Sequence, residues 1–186
     1  MLAGHGFNRL SMGVRDFTSE VQDAIGRNQT REQTERLIRR ARDLGFRGLN
    51  ADLIYGLPSQ TPEGLRHTVD SVIEMGVDRI ALYSFAFVPW LKGHQRKLDA
   101  TTMPDRHTKF ALFAMARERF LEAGYEPIGM DHFARLDDEL TRARQERRLR
   151  RNFQGYSVIP APDVIGIGVS AIGDIGGSYM QNEKKL

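Results

Sequence analysis

One pattern recurs in this chain and constrains its fold more than any other feature. Leu44-Gly45-Phe46 leads into 48–54, Met75-Gly76-Val77 into 79–85, and Ala123-Gly124-Tyr125 into 127–133. Each time an amphipathic segment stops at a glycine, one apolar residue follows, and a strand-like run begins. A helix often ends with a left-handed residue just past its last turn, a conformation glycine adopts at little cost. The helix starts are marked as well. Thr30 with Gln33 spells a capping box, Thr61 before Pro62 an N-cap with proline at the first helical position, and Pro104-Asp105 opens the third helix. Leu37, Ile38, Ala41 and Leu44 fall on one face of the first helix, and Leu65, Val69, Val72 and Ile73 on one face of the second. Phe110, Phe113, Ala114 and Leu121 supply a broad stripe on the third.

Residues 7–14 precede these units and read as a first strand. The order is therefore βαβαβαβ with short helix-to-strand loops, which calls for an α/β fold with a mainly parallel sheet and right-handed crossovers. Periodicity leaves open whether the strands belong to a (β/α) barrel or to an open doubly wound sheet. In both, ligands sit at the C-terminal ends of the strands. That rule picks out Gly13-Val14-Arg15, Asp52 with Tyr55, residues 83–87, and Asp131-His132-Phe133. A polar group inside an apolar strand is costly without a partner. Asp52 and the Asp131-His132 pair therefore read as mouth residues of a ligand site. The plain alternatives are a helix-capping or loop-bracing carboxylate for Asp52 and a core histidine bonded to Asp131 for His132. The other histidines, His5, His67, His94 and His107, show no metal-ligand spacing.

A length of 186 residues with 40% hydrophobic and 27% charged residues suits one domain with a real core. No run of about 18 apolar residues marks a membrane span, and the N-terminus has no secretory pattern, so a soluble cytoplasmic protein is predicted. The net charge of +3 is uneven. Arg142, Arg144, Arg147, Arg148, Arg150 and Arg151 stand against Glu146 alone within 141–151. Such a run is either an anion site, for a polycarboxylate or nucleic acid, or the solvated face of a helix, here one running from Asp137 to about Arg150. No aromatic residues are interleaved for base stacking, which ranks nucleic acid below the other readings. The glycine-rich run 165–173 is weak as a nucleotide fingerprint, and close backbone approach or turn chemistry explains it equally well. The chain contains no cysteine, which excludes disulfides, a thiolate nucleophile, and any Cys-held zinc or iron–sulfur site on this chain.

Several strings occur in order: Gly6-Phe7-Asn8-Arg9-Leu10-Ser11-Met12-Gly13-Val14, Asp52-Leu53-Ile54-Tyr55-Gly56-Leu57-Pro58 and Ile128-Gly129-Met130-Asp131-His132-Phe133-Ala134-Arg135. Arg151-Asn152-Phe153-Gln154-Gly155-Tyr156 and Gly166-Ile167-Gly168-Val169-Ser170-Ala171-Ile172 follow. Together they resemble the oxygen-independent coproporphyrinogen III oxidases, radical S-adenosylmethionine enzymes of haem biosynthesis. The first two strings are shared with a related haem-chaperone branch, which is the alternative reading. The Gly-Met-Asp-His-Phe-Ala and Asn-Phe-Gln-Gly-Tyr strings favour the oxidase branch.

The resemblance implies a partial (β/α) TIM-like barrel, with this chain its middle and C-terminal part, truncated at both ends. It implies S-adenosylmethionine, two molecules in the family, cleaved reductively at a [4Fe–4S] cluster to a 5′-deoxyadenosyl radical. Hydrogen abstraction and loss of carbon dioxide and one electron then convert two propionates of the substrate coproporphyrinogen III to vinyls. By the same resemblance, Arg27, Asp52 and Ala86 match contacts of the second S-adenosylmethionine, and Ile172 matches a contact of the first. Arg15 stands where the family has a glutamine. The family's cluster-binding Cys-x-x-x-Cys-x-x-Cys has no counterpart here. The resemblance thus implies a fragment that ligates no cluster and by itself has no oxidase activity.

Overall fold

A computed structural model of the chain describes residues 3–153 and 155–185. Gln154, part of one of the strings above, lies outside them. The chain divides into two compact units, Met1–Asp138 and Glu139–Leu186.

In the first unit the repeated pattern does what its chemistry requires. Strand β1 (Arg9–Arg15) is followed by helices α1 (Ser19–Ala24) and α2 (Arg31–Asp43), strand β2 (Gly48–Tyr55), helix α3 (Pro62–Glu74) and strand β3 (Arg79–Ser84). Helix α4 (Arg106–Glu122) leads into β4 (Tyr125–Gly129) and β5 (His132–Arg135). Thr30 and Gln33 close a reciprocal capping box on α2, and the hydroxyl of Thr61 accepts the Gly64 N–H at the start of α3. Asp105 caps α4 through the Thr108 N–H at 2.7 Å. Gly45, Gly76 and Gly124 all carry positive φ where the helices stop.

The sheet order is β1-β2-β3-β5-β4. β1, β2 and β3 are parallel, and β5 runs antiparallel to both β3 and β4. The fourth strand predicted over 127–133 is therefore two strands of a hairpin. Met130 takes a positive φ of 48° at the reversal, and the returning strand, not the outgoing one, bonds to β3. The sheet is mainly parallel, as predicted, and open, with β1 and β4 at its ends.

Alternation along the strands makes the two faces of the sheet different. In β2, Leu49, Ala51 and Leu53 are wholly buried, and they join Met12, Val14, Ile80, Leu82, Leu112 and Phe120 in one apolar core under the helices. Asn50, Asp52 and Ile54 point to the other face. The helix stripes are narrower than predicted. On α2 the buried positions are Thr34, Ile38 and Ala41, whereas Leu37 and Leu44 are exposed. On α4 they are Leu112, Ala116 and Phe120, whereas Phe110 and Leu121 are exposed. Burial follows one line of the helix facing the sheet, i, i+4, i+7 on α2 and i, i+4, i+8 on α4, and apolar residues off that line remain in water.

In the second unit, helix α5 (Glu139–Gln145) ends earlier than the predicted Arg150. Arg147 turns left-handed at φ 55°, and the Arg148 N–H reaches back to the Ala143 carbonyl, which closes the helix. Strands β6 (Arg150–Asn152) and β7 (Gly155–Ser157) form a hairpin, as do β8 (Ile172–Ile175) and β9 (Ser178–Gln181). The glycines of 165–173 serve close backbone approach here. A Cβ on Gly173 would lie 2.9 Å from the Val164 carbonyl oxygen, across an isolated bridge between Val164 and Asp174. Among the described residues, no helix is long and apolar enough to cross a membrane.

Candidate functional site

The strand ends of the first unit carry the candidate site. β1 finishes in a tight turn: the Asp16 N–H bonds the Val14 carbonyl at 3.0 Å, with Arg15 at φ 71° between them. This is the γ-turn form with positive φ, rare and strained for a residue with a side chain. It holds because Asp16, wholly buried, is tied from several directions. One carboxylate oxygen accepts the Thr18 N–H at 2.7 Å and the Thr68 hydroxyl at 3.0 Å, and the other accepts the Gln60 amide at 2.6 Å. Gln60 in turn donates to the Ile54 carbonyl and accepts the Gly56 N–H.

Two more buried glutamines brace neighbouring loops in the same way. Gln22 donates to the carbonyls of Asp16 and Gln29 and accepts the Gln29 N–H, folding back the loop that carries Arg27. Gln95 donates to the Ala86 carbonyl at 3.0 Å and accepts the Val88 N–H at 2.6 Å, closing the loop after β3. Lys109 crosses from α4 to donate to the Phe85 carbonyl at 2.6 Å, its ammonium 5.9 Å from the centre of the Tyr55 ring. Burial pulls the Lys109 ammonium below its ordinary pKa.

These braces surround a cleft of about 630 Å³. Its apolar floor includes Ile54, Leu57, Phe85 and Leu98, and its polar wall includes Arg15, Arg27, His94, Lys97 and Asp23. Arg27 donates to the Gly13 carbonyl and to the Gln29 side chain at 2.7 Å. Burial, with the nearby Arg15 charge adding, depresses the pKa of the Arg27 guanidinium. Beside the cleft, Asp52 accepts the Asn50 amide at 2.7 Å and the Ser11 hydroxyl at 3.5 Å, and its other oxygen lies 4.0 Å from an Arg15 nitrogen. Asp52 is neither a helix cap nor a loop brace; it sits in a polar cluster on the sheet face opposite the helices.

Register extends that face. Gly13, Asp52, Ala81 and His132 occupy one row across β1, β2, β3 and β5. His132 lies 2.6 Å from Asp131 through its Nδ1, and its ring meets Tyr83 edge-on at 6.0 Å. The bonded pair foreseen for His132 is therefore present, at the strand ends.

Of the residues marked by resemblance, Arg15, Arg27 and Asp52 come together. Ala86 follows Phe85 of the cleft floor and is fixed through its carbonyl by Gln95. Ile172 belongs to the second unit, where it begins β8 and lines a smaller cavity of about 260 Å³ with Phe153, Tyr179, Met180 and Gln181. The arginines of 142–151 are all exposed. Arg148 is bonded to Glu146, and Arg151 lies over the Tyr156 ring at 5.5 Å.

Sequence reasoning passed over Asp16, Gln22, Gln60, Gln95 and Lys109. Nothing in their spacing joins them, since Asp16 and Gln60 are 44 positions apart. The one available signal was Asp16 itself, a carboxylate directly after an apolar strand.

Comparison with known proteins places these features. The sequence pattern of the Radical SAM superfamily matches residues 1–72. The oxygen-independent coproporphyrinogen III oxidase of Salmonella typhimurium is 48% identical over 185 residues, covering all of this chain and 40% of the relative. The enzyme of the same name from Escherichia coli is 45% identical with the same coverage, and that from Helicobacter pylori 46%. The solved coproporphyrinogen III oxidase of Escherichia coli, described as a Radical SAM enzyme, superposes with a TM-score of 0.96 at 45% identity, over 99% of this chain and 42% of that one. The chain thus spans about 40% of the length of the curated relatives it matches. By sequence and by backbone, the chain is similar to about 40% of an oxygen-independent coproporphyrinogen III oxidase, and its first 72 residues match the Radical SAM superfamily pattern.

Proposed function

We propose that this chain supplies one wall of the adenosyl-binding site in a coproporphyrinogen III oxidase, within a partial (β/α) barrel. The observation that carries the reading is the convergence of Arg15, Asp52 and the loop residue Arg27 on the parallel strands β1 and β2, beside a cleft with an apolar floor. The side chains suit the adenosine and amino-acid ends of S-adenosylmethionine, which when bound supplies the hydrogen-abstracting chemistry of the family. A guanidinium matches its carboxylate. Phe85 and Leu57 offer apolar surface to its adenine. Asp52 is placed for a hydroxyl or an amine.

The [4Fe–4S] cluster is different. With no cysteine among 186 residues, the chain has no thiolate to ligate one, and no step of the chemistry is assigned to this chain through it. What these residues do is bind and orient. Asp16 and Gln60 hold the Arg15 turn against the loop after β2, Gln95 fixes the Ala86 wall, and Arg27 anchors the first loop to β1.

In the second unit, the exposed arginines of 142–151 are proposed to meet the carboxylates of coproporphyrinogen III, the substrate of the parent enzyme. The protein is proposed to work in the cytoplasm.

Calorimetric titration of the chain with S-adenosylhomocysteine tests the adenosyl reading. We expect saturable binding that weakens about 10-fold in Arg27→Ala, the loss of one charge-assisted hydrogen bond. Undiminished binding by that variant would contradict the placement.

A further inference from the structure

We propose that Arg15 is a specificity determinant that tunes this cleft against cationic ligands, so that an uncharged adenosyl thioether is held more tightly than the corresponding sulfonium. The inference rests on the adenosyl reading above and concerns which charge state the cleft accepts.

The argument begins with the distribution of charge. Arg15, Arg27 and Lys97 line the cleft as cations, with His94 beside them and Asp23 as the carboxylate of the lining. Of the other carboxylates at this end of the sheet, Asp16 is buried among its own hydrogen bonds and Asp131 is held by His132, which leaves Asp52 as the natural counter-charge for a bound cation. Both of its oxygens are already engaged. One accepts hydrogen bonds from Asn50 and Ser11, and the other faces the Arg15 guanidinium at 4.0 Å. Arg15 therefore adds a positive charge to the wall and pre-empts the negative charge behind it.

The position of the guanidinium is determined by the backbone. The strained turn at φ 71° folds the Arg15 side chain back over Gly13, where a Cβ would lie 3.1 Å from Nη2. Gly13 leaves the room the guanidinium occupies beside Asp52. Arg27 donates to the Gly13 carbonyl of the same strand, which brings a second guanidinium to this wall.

A cleft of about 630 Å³ is roughly 10 Å across, close to one Debye length in ordinary buffer, so a charge anywhere within it feels the whole wall. A sulfonium brings another cation into this field. S-adenosylhomocysteine has the same skeleton without the sulfonium methyl and its charge.

The test is a calorimetric comparison of S-adenosylmethionine and S-adenosylhomocysteine on the intact chain and on Arg15→Gln and Arg15→Lys, at low and high salt. Both substitutions keep a non-glycine residue in the strained turn, and matching circular dichroism and thermal melts confirm equivalent folding. We expect the native chain to prefer the thioether by about 3- to 10-fold, the effect of one partly screened charge at this range. The preference should shrink with salt, survive in Arg15→Lys, and vanish or reverse in Arg15→Gln, where Asp52 becomes available to the cation. Equal binding of both ligands by the native chain, or a preference unchanged in Arg15→Gln, would overturn the inference and leave the adenosyl reading standing. Binding of neither ligand would overturn the adenosyl reading and the inference together.

Discussion

Asp16 shows how much a single buried group can organise. Its carboxylate ties the end of β1 to α3 through Thr68 and to the loop after β2 through Gln60. Replacing it with alanine removes the acceptor of one Gln60 amide hydrogen, of the Thr68 hydroxyl and of the Thr18 N–H. Asp16→Ala should lower stability by about 3 kcal/mol, read as a shift of the urea midpoint with an unchanged slope. Tyr125 gives a prediction in pH. Its hydroxyl donates to the Val77 carbonyl at 2.7 Å, and burial pushes its pKa up from 10.0 to about 12. The protonated form is therefore favoured in the folded state. This stabilisation is fully present below the unfolded pKa and is lost as pH rises from 10 toward 12. It amounts to roughly 2–3 kcal/mol. Urea midpoints measured across that window should fall more steeply for the native chain than for Tyr125→Phe; parallel curves would contradict the assignment.

Among the elements, capping chemistry and glycine stops could be read from the sequence because they are local. Thr30, Thr61 and Asp105 all cap the helices they were expected to start. The hairpin of β4 and β5 could not be read this way. Its turn at Met130 carries no glycine, and strand pairing is decided by partners distant in sequence, so 127–133 reads as one run. The narrow buried stripe on α2 has a similar cause, since only the sheet shows which of the adjacent apolar positions faces inward. The candidate site divides along the same line. Arg15 and Asp52 stand out at strand ends, whereas the glutamines that brace them become visible only when the loops meet. Gly56, at φ 83°, tests how tightly these loops are built. A Cβ there would sit 2.6 Å from Cε of Lys109, itself bonded to the Phe85 carbonyl. Gly56→Ala should cost about 2 kcal/mol, combining the backbone penalty of a left-handed residue with displacement of that lysine.

For the whole molecule, the mainly parallel sheet and its loops account for the proposed binding, whereas the chemistry of the proposed reaction requires thiolates this chain does not have. Anaerobic reconstitution with iron and sulfide should leave the chain without the visible absorption of a cluster, and incubation with S-adenosylmethionine and a reductant should yield no 5′-deoxyadenosine; turnover by the chain alone would contradict this. In a full-length relative, charge reversal at the positions aligned with Arg148 and Arg151 should raise KM for coproporphyrinogen III with little change in kcat. An unchanged KM would detach the arginine run from the substrate.

The central claim is that the cleft at the strand ends holds the adenosyl ligand. It is tested most directly by mapping amide chemical shifts in a nuclear magnetic resonance titration with S-adenosylhomocysteine. The account predicts that saturable shifts concentrate on Gly13, Arg15, Gly26, Arg27, Leu57, Phe85 and Ala86. Shifts confined to other surfaces, or none at saturating ligand, would contradict it.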